Sequence, residues 1–442
     1  MAEPQESLYA KVAEVVAVFP PTLKMLTAIC VAEEQVGPGW SPGKIEGMDI
    51  NQYLTILLHN GIVQRMEVDG WPGTPARFCL ACPRQEMEAI LTDLIKRGAP
   101  WSGDRKRVMV TPGAIEDFEQ LLTSGMDAVD FWARKINPKA EGLMHVKRAI
   151  LLCLASPPDT AGDRGRIHVL LYGAPGSAKT ILRTWVANQL GAGSCSQRTT
   201  KVGLMGSASG AEIVPGALPR NHGGVLTIDE LDKFSRQDRQ GLLEAMEEGV
   251  VEVEAGGKSE RFPAEVRVIA CANRIKEFSP ELMDRFDFIF PMEIPSGDAE
   301  KAVVSSIVHT WFREKPWYDG KLLNQYLTWI QAYRPEISDD VRKKAEALLL
   351  RLIELEDLHE ETHEQEGGGS DAKPLGKRGT LGSRGIRARE SILRIAYTLA
   401  RLNRRGVIVE DLLRAIKMQN PDLDRSVTEE LERIAREKEV LT

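Results

Sequence analysis

At 442 residues the chain exceeds what one ordinary core can organise, and about 150 residues per domain gives two or three domains. A composition 43% apolar and 27% charged excludes extended disorder and fibrous repeats, and the six cysteines, scattered along the whole length, are expected to be reduced thiols rather than a disulfide scaffold. The formal charge of −7, the acidic opening MAEPQES and the lack of an apolar run near the roughly 20 residues of a membrane span exclude general attraction to polyanions, a secretory signal and a bilayer anchor, so a cytoplasmic protein without a membrane partner is expected.

Residues 1–110 read as a small winged-helix-like domain: three helices, two strands about a turn, and a further helix. Leu23, Leu26, Ile29 and Cys30 have helical spacing over 21–34, and Asp49 is a candidate N-cap for a run through His59 that Gly61 stops. Strands at 62–68 and 77–82 flank DGWPGTP, a Gly- and Pro-rich loop of the kind called a wing. The run DINQYLTILLHNG, the expected recognition helix, has no Lys or Arg, and the domain holds 11 Lys and Arg against 13 Asp and Glu. A contact module for protein is therefore favoured over a DNA reader. Cys79 and Cys82 form a CxxC pair, but zinc needs four ligands and only Cys30 and His59 stand near in sequence, so burial as small strand residues is expected.

A polar, basic stretch over 101–112 marks a boundary before a helix at 114–122. Within 111–295, short apolar runs at 167–172, 225–228 and 266–272 alternate with helical patterns, which predicts an α/β core with a parallel sheet covered on both faces. Residues 296–442 carry helical patterns at 338–361, 387–404 and 410–419 and read as an α-helical lid. Near 364–385 the run EQEGGGSDAKPLGKRGTLGSRG interrupts it and is expected to be a mobile surface loop. HEETH at 359–363 matches the metalloprotease pattern HExxH, yet it sits in an acidic run with no third ligand, and chance is the better reading.

The chemistry-bearing run is HVLLYGAPGSAKTILRTWVANQL: an apolar strand, a Gly-rich turn and a helix. Gly173, Ala174, Pro175, Gly176, Ser177, Ala178, Lys179 and Thr180 form the turn. Its glycines let backbone N–H groups approach phosphate oxygens at a helix N-terminus, Lys179 adds positive charge at the outer phosphates, and Thr180 offers a hydroxyl to Mg²⁺. The Gly usual before the Lys is here Ala178. Further on, GGVLTIDELDKF sets Asp229 and Glu230 at the end of an apolar strand. In that position Asp229 would hold Mg²⁺ through its water shell, and Glu230 would orient the water that attacks the γ-phosphate. A third run, VIACAN, ends at Asn273, whose amide could hold the same water.

GAPGSAKT, GGVLTIDELDKF, VIACAN and SPELMDRFDFIF follow one another in the order and spacing of the MCM helicase family, and the chain resembles that family over roughly 115–420. The resemblance implies a AAA+ P-loop ATPase with ATP and Mg²⁺ as cofactors, DNA and other replication proteins or MCM subunits as partners, and a ring-like homo-oligomer. It implies that Arg285, in the RF motif, enters the ATP site of a neighbouring subunit. Through GIRARESILRIAYTLARL it matches Arg387 to the sensor-2 arginine, a nucleotide contact, and Glu390 to the acid nearby.

The sequence also departs from the family. The insert between the phosphate-loop helix and the acidic strand is shortened to GLMGSASGAEIVPGALPRNHGG. The hairpin that in the family points a Lys toward DNA has Ala255 at that position, with Lys258 the substitute if the tip is shifted. Its strands VVEVEAGGKSERF carry Glu252, Glu254 and Glu260 against Lys258 and Arg261. In the RF motif Asp284 replaces the usual Ser and is expected opposite Arg285. Ahead of the ATPase, about 110 residues leave no room for both the barrel and the zinc site of family members. The first reading is thus an ATP-hydrolysing motor of the MCM type acting on DNA. The alternatives are an accessory homologue using ATP as a conformational switch through protein contacts, and a remodeller of the wider AAA+ group.

Overall fold

The computed structural model describes residues 8–18, 21–39, 54, 57–58, 60–66, 77–96, 110–137, 140, 142–160, 163–196, 199, 201–209, 212–255, 258–294, 296–297, 300–301, 303–305, 308, 320–365, 386–421, 423 and 425–436. Two units result, residues 1–116 with 325–333, and residues 117–324 with 334–442. Among the described residues no helix is long and apolar enough to cross a membrane.

In the smaller unit, helices α1 (Leu8–Val18) and α2 (Pro21–Val36) precede strands β1 (Val63–Met66) and β2 (Arg77–Leu80), and helix α3 (Arg84–Lys96) follows. The strands pair antiparallel, Val63 opposite Leu80 and Met66 opposite Arg77. Val12, Leu26, Ile29, Leu57, Ile62 and Met87 are fully buried in one core, each contributing about 1.5–3 kcal/mol of burial. Asp49 and the loop DGWPGTP lie outside the described residues, as does His59. Cys30 is buried, Cys79 and Cys82 are half-buried, and all three are free thiols. Among the described residues no His, Cys, Asp and Glu cluster could hold a metal ion. Cys79 and Cys82 are thus less buried than expected of small strand residues: Cys79 alternates with the buried Phe78 and Leu80 on the other face of β2, and Cys82 lies past the strand's end.

The larger unit begins at residue 117, within helix α4 (Pro112–Thr123), and continues with helices α5 (Ala128–Lys135) and α6 (Met144–Ala155). Five strands form its parallel sheet: β3 (Val169–Tyr172), β4 (Gly193–Cys195), β7 (Val225–Ile228), β10 (Arg267–Ala272) and β11 (Phe288–Pro291), ordered β11-β3-β10-β7-β4. All neighbouring pairs run parallel. Strands β3 and β10 are buried along nearly their whole length, as a sheet covered on both faces requires. One face packs on helix α10 (Arg236–Glu248) through Leu242, Ala245 and Met246.

Helix α7 (Lys179–Leu190) follows β3. The shortened insert folds as helix α8 (Lys201–Met205), the antiparallel pair β5 (Gly206–Ser209) and β6 (Glu212–Pro215), and helix α9 (Ala217–Arg220). A second hairpin, β8 (Val250–Ala255) with β9 (Lys258–Pro263), sets Ala255 directly opposite Lys258. Helix α11 (Pro280–Met283) leads into β11. After β11 the described elements are helical: α12 (Lys321–Trp329), α13 (Asp339–Gln365), α14 (Ile386–Leu402), α15 (Val409–Gln419) and α16 (Arg425–Arg436). HEETH lies on α13, and most of the Gly-rich run at 364–385 lies outside the described residues.

Candidate active site

The strand order puts β10 between β3 and β7. The turn after β3, the acidic pair after β7 and Asn273 after β10 therefore converge at the C-terminal end of the sheet, the edge where open α/β sheets bind ligands. A cavity of about 1680 Å³ opens there, lined by residues 175–180, Asp229, Glu230 and Asn273. It exceeds the roughly 300–1,000 Å³ of ordinary small-molecule pockets.

The turn is shaped for close approach. Gly173 has φ +147, and a Cβ there would fall 2.2 Å from the Met292 carbonyl oxygen, so only glycine fits. Gly176 has φ +87, and a Cβ on it would meet nothing within 4 Å: its face opens on the cavity. Ala178 sits at φ 66, ψ 0, the left-handed conformation that explains why Gly is usual here. Lys179, 5% exposed, donates to the carbonyls of Gly173 (2.7 Å) and Ala174 (2.8 Å) and to Ser177 Oγ (3.0 Å). Burial holds its ammonium below the usual lysine range, with Cys271, Asp232 and Asp229 opposing the shift. Thr180 follows on the cavity wall.

The acidic turn is fixed by backbone. Asp229 N–H donates to the Cys195 carbonyl at 2.9 Å, extending the β4–β7 ladder by one bond. Glu230 is left-handed at φ 52, a strained conformation for a non-glycine residue of the kind found at functional sites. Asp232 Oδ1 accepts from Asn273 N at 3.0 Å, tying the acidic turn to β10. A glycine open to the cavity, one ammonium, one hydroxyl and two carboxylates are a set of groups that fits a nucleoside triphosphate with a hard divalent cation.

The far wall is charged. Asp127 caps α5, accepting from Val129 N at 2.9 Å, and pairs with Arg414 of α15. Arg414 also reaches Asp130 at 3.0 Å, and Asp130 takes Arg148 at 2.7 Å. These side chains join helices α5, α6 and α15 around the cavity.

Two expected site residues stand elsewhere. Arg285 and Arg387 do not line this cavity; they share Glu247 on α10, Arg387 at 2.7 Å. Asp284, expected opposite Arg285, takes Arg387 instead at 3.2 Å, because Arg285 turns inward to 7% side-chain exposure. Burial, with repulsion from Arg387 and Arg164, brings the Arg285 guanidinium down to about 10. Glu390 contacts Arg394 at 3.5 Å.

Behind Arg285 lies Asp287, fully buried. It accepts from Arg164 (3.2 Å), Arg394 (2.9 Å), Ser391 Oγ (2.6 Å) and the His168 backbone N–H (2.8 Å). Burial alone would raise its carboxyl, but the two guanidiniums hold it well below the usual carboxylate range. Arg164 also donates to the Arg285 carbonyl at 3.1 Å. Asp287, Asp232 and the Asp127–Arg414 wall went unread in the sequence, since single charges carry no periodicity; only Asp287, two residues after Arg285, had a local signal.

A parallel sheet in this order, with a Gly-rich phosphate turn after its first strand and an acidic pair after its third, defines a AAA+ P-loop protein. Residues 115–311 match the family model of the MCM P-loop domain. Over that span, under half of its length, the chain carries an MCM-type P-loop domain. It is 30% identical to an uncharacterised MCM-type protein of Methanocaldococcus jannaschii over 226 residues, 46% of this chain and 33% of that protein. A minichromosome maintenance protein of Saccharolobus solfataricus is 28% identical over 248 residues, 49% and 36% of the two chains. The DNA replication licensing factor MCM5 of Oryza sativa subsp. indica is 27% identical over 338 residues, 66% and 44% of the two. The chain thus covers about a third of the first two relatives and under half of the last.

Proposed function

We propose that the protein binds Mg·ATP between the loop 173–180 and Asp229, hydrolyses it with Glu230 and Asn273 orienting the attacking water, and works as an oligomeric MCM-type motor on DNA in replication. The observation that carries this reading is the single cavity onto which Lys179, Thr180, Asp229, Glu230 and Asn273 all open. In that site Lys179 would release its loop carbonyls for phosphate oxygens, which accept more strongly because the bond is charge-assisted on both sides. When bound, Mg²⁺ neutralises charge on the β- and γ-phosphate oxygens. Arg285 and Arg387, side by side on Glu247 and away from this cavity, suit a role at a neighbour's phosphates. The names of the relatives, a minichromosome maintenance protein and a replication licensing factor, support replication as the setting. The test is ATP turnover of the purified chain with and without single-stranded DNA, together with sizing by light scattering in Mg·ATP. DNA-stimulated turnover by an oligomer is the expected result; a monomer with turnover indifferent to DNA would sink the motor.

One observation favours the second reading, an accessory homologue that uses ATP as a switch and acts through protein contacts by way of a winged-helix-like module at 1–110. The β8–β9 hairpin pairs Glu252 with Arg261 and Val253 with Glu260, and Glu252 is further engaged by Ser259 Oγ at 2.6 Å. Such an acidic hairpin is a poor track for a polyanion. Binding of single-stranded DNA that does not weaken as salt rises, or no binding at all, would favour the switch.

A further inference from the structure

Asp229 has a partner that the ATPase reading does not use. Arg183 stands four residues after Lys179 on α7, one turn along the same helix face. Its Nη2 lies 2.9 Å from Asp229 Oδ2, and its Nη1 donates to Ser194 Oγ on β4 at 3.0 Å. The pair is sheltered, with side-chain exposures of 12% and 24%, and the Arg183 Nε is buried with no partner among the described residues. Asp229 lines the cavity and Arg183 does not, so the guanidinium approaches the carboxylate from the side away from the nucleotide. The Asp229 backbone is already pinned to Cys195; what Arg183 adds is charge.

We propose that Arg183 is a positioning residue that neutralises Asp229 from behind, so that the site takes nucleotide with little need for metal and holds its divalent cation loosely. The inference rests on the ATP-site reading above. Its physics is a sign argument. A bare carboxylate beside a triphosphate repels it, and a guanidinium one hydrogen bond away offsets that repulsion. The same guanidinium repels an incoming dication and shares the oxygen the cation would draw on. Orienting one Asp side chain works the other way and favours the cation, but the rotamer freedom at stake in so short a side chain is small beside a full unit charge in a sheltered site. Removing Arg183 should therefore weaken metal-free nucleotide and tighten metal, two changes of opposite sign. Loss of site structure would weaken both.

The experiment uses the full chain and fluorescent ADP, measured in EDTA, followed by Mn²⁺ titration read by electron paramagnetic resonance at saturating ADP. In Arg183→Met we expect ADP to bind about tenfold more weakly in EDTA and Mn²⁺ about tenfold more tightly, each about 1.4 kcal/mol. Arg183→Lys, which keeps the charge, should return both toward wild type. Weakening of both ligands in Arg183→Met, or no change in either, overturns the inference while leaving the ATP site standing. Wild-type protein that retains no ADP with or without Mn²⁺ overturns the ATP-site reading and this inference with it.

Discussion

Two charged regions of the larger unit carry the candidate chemistry, and they differ in how far the chain itself completes them. Around the cavity, three of the key groups have internal partners: Lys179 has three acceptors, Asp229 has Arg183, and Asn273 is tied to Asp232. At the other region Arg285 and Arg387 lean on one shared carboxylate, Glu247, and the Arg285 Nε and Nη1 are buried with no partner among the described residues. Buried guanidinium donors without acceptors are costly. The difference teaches that the pocket's charged groups find partners within one chain, whereas the arginine edge keeps two buried donors without partners among the described residues, as the proposed contact with a neighbour would require.

The strongest way to break that comparison is Arg285→Ala. If its reserve donors serve a neighbour's phosphate, turnover of the assembled protein should fall by about 10³ to 10⁵, while affinity for ADP stays at the wild-type value. Mixing Arg285→Ala with Lys179→Ala subunits should restore part of the turnover, because one supplies an intact pocket and the other an intact arginine. Absence of any rescue in the mixture would show that Arg285 works within its own chain or not at all. On the cavity side, Glu230→Gln should lower turnover by about 10² to 10⁴ with nucleotide still retained. Loss of binding instead would mean that Glu230 holds the turn and not the water.

The cavity was legible in the sequence to a degree that the arginine edge was not. Strands β3, β7 and β10 are short apolar runs that end at chemistry-bearing turns, so the run and the turn identify each other. Edge strand β4, with the sequence GSC, has no apolar run to detect, and the hairpin within the insert is built largely of small residues. The helices α13, α14 and α15 were legible from spacing alone. By contrast, Arg387 and Glu247 are 140 residues apart, and Asp287 meets Arg164 and Arg394 at separations of 123 and 107. Nothing local marks Arg183 or Arg164 as other than solvated bases, since their partners come from strands that only the sheet order brings near.

Asp287 sharpens the comparison from beneath, because it anchors the segment that carries Arg285 to the helix α14 that carries Arg387. Asp287→Asn removes the buried countercharge of Arg164 and leaves Arg394 only the half-exposed Glu390 at 3.5 Å, and breaking a buried pair in this way costs about 3–5 kcal/mol, readable by urea denaturation. The pH dependence has a definite sign. The folded carboxyl titrates below its usual range, so the unfolded chain takes up the proton first as pH falls. The stabilisation is therefore fully present above about pH 4, the ordinary aspartate value, and is lost progressively as pH drops toward the depressed one. Wild type should lose more stability along that acid limb than Asp287→Asn, whose remaining acid loss comes from other paired carboxylates such as Asp130. Equal acid slopes for the two would remove Asp287 as the anchor.

The smallest expected effect lies in the phosphate turn itself. Ala178 holds φ 66 and ψ 0, where a Cβ crowds the following carbonyl at a cost of about 1–2 kcal/mol. Glycine would remove that crowding but loses more conformational freedom on folding, which returns about 0.5–1 kcal/mol of it. The difference favours Ala178→Gly by up to about 1.5 kcal/mol, seen as a higher denaturation midpoint with an unchanged slope. Should the midpoint fall instead, the Ala178 methyl must be making packing contacts worth more than the strain. The alanine would then be a structural choice within the pocket, and the cavity would be less purely a ligand cradle than its glycines make it.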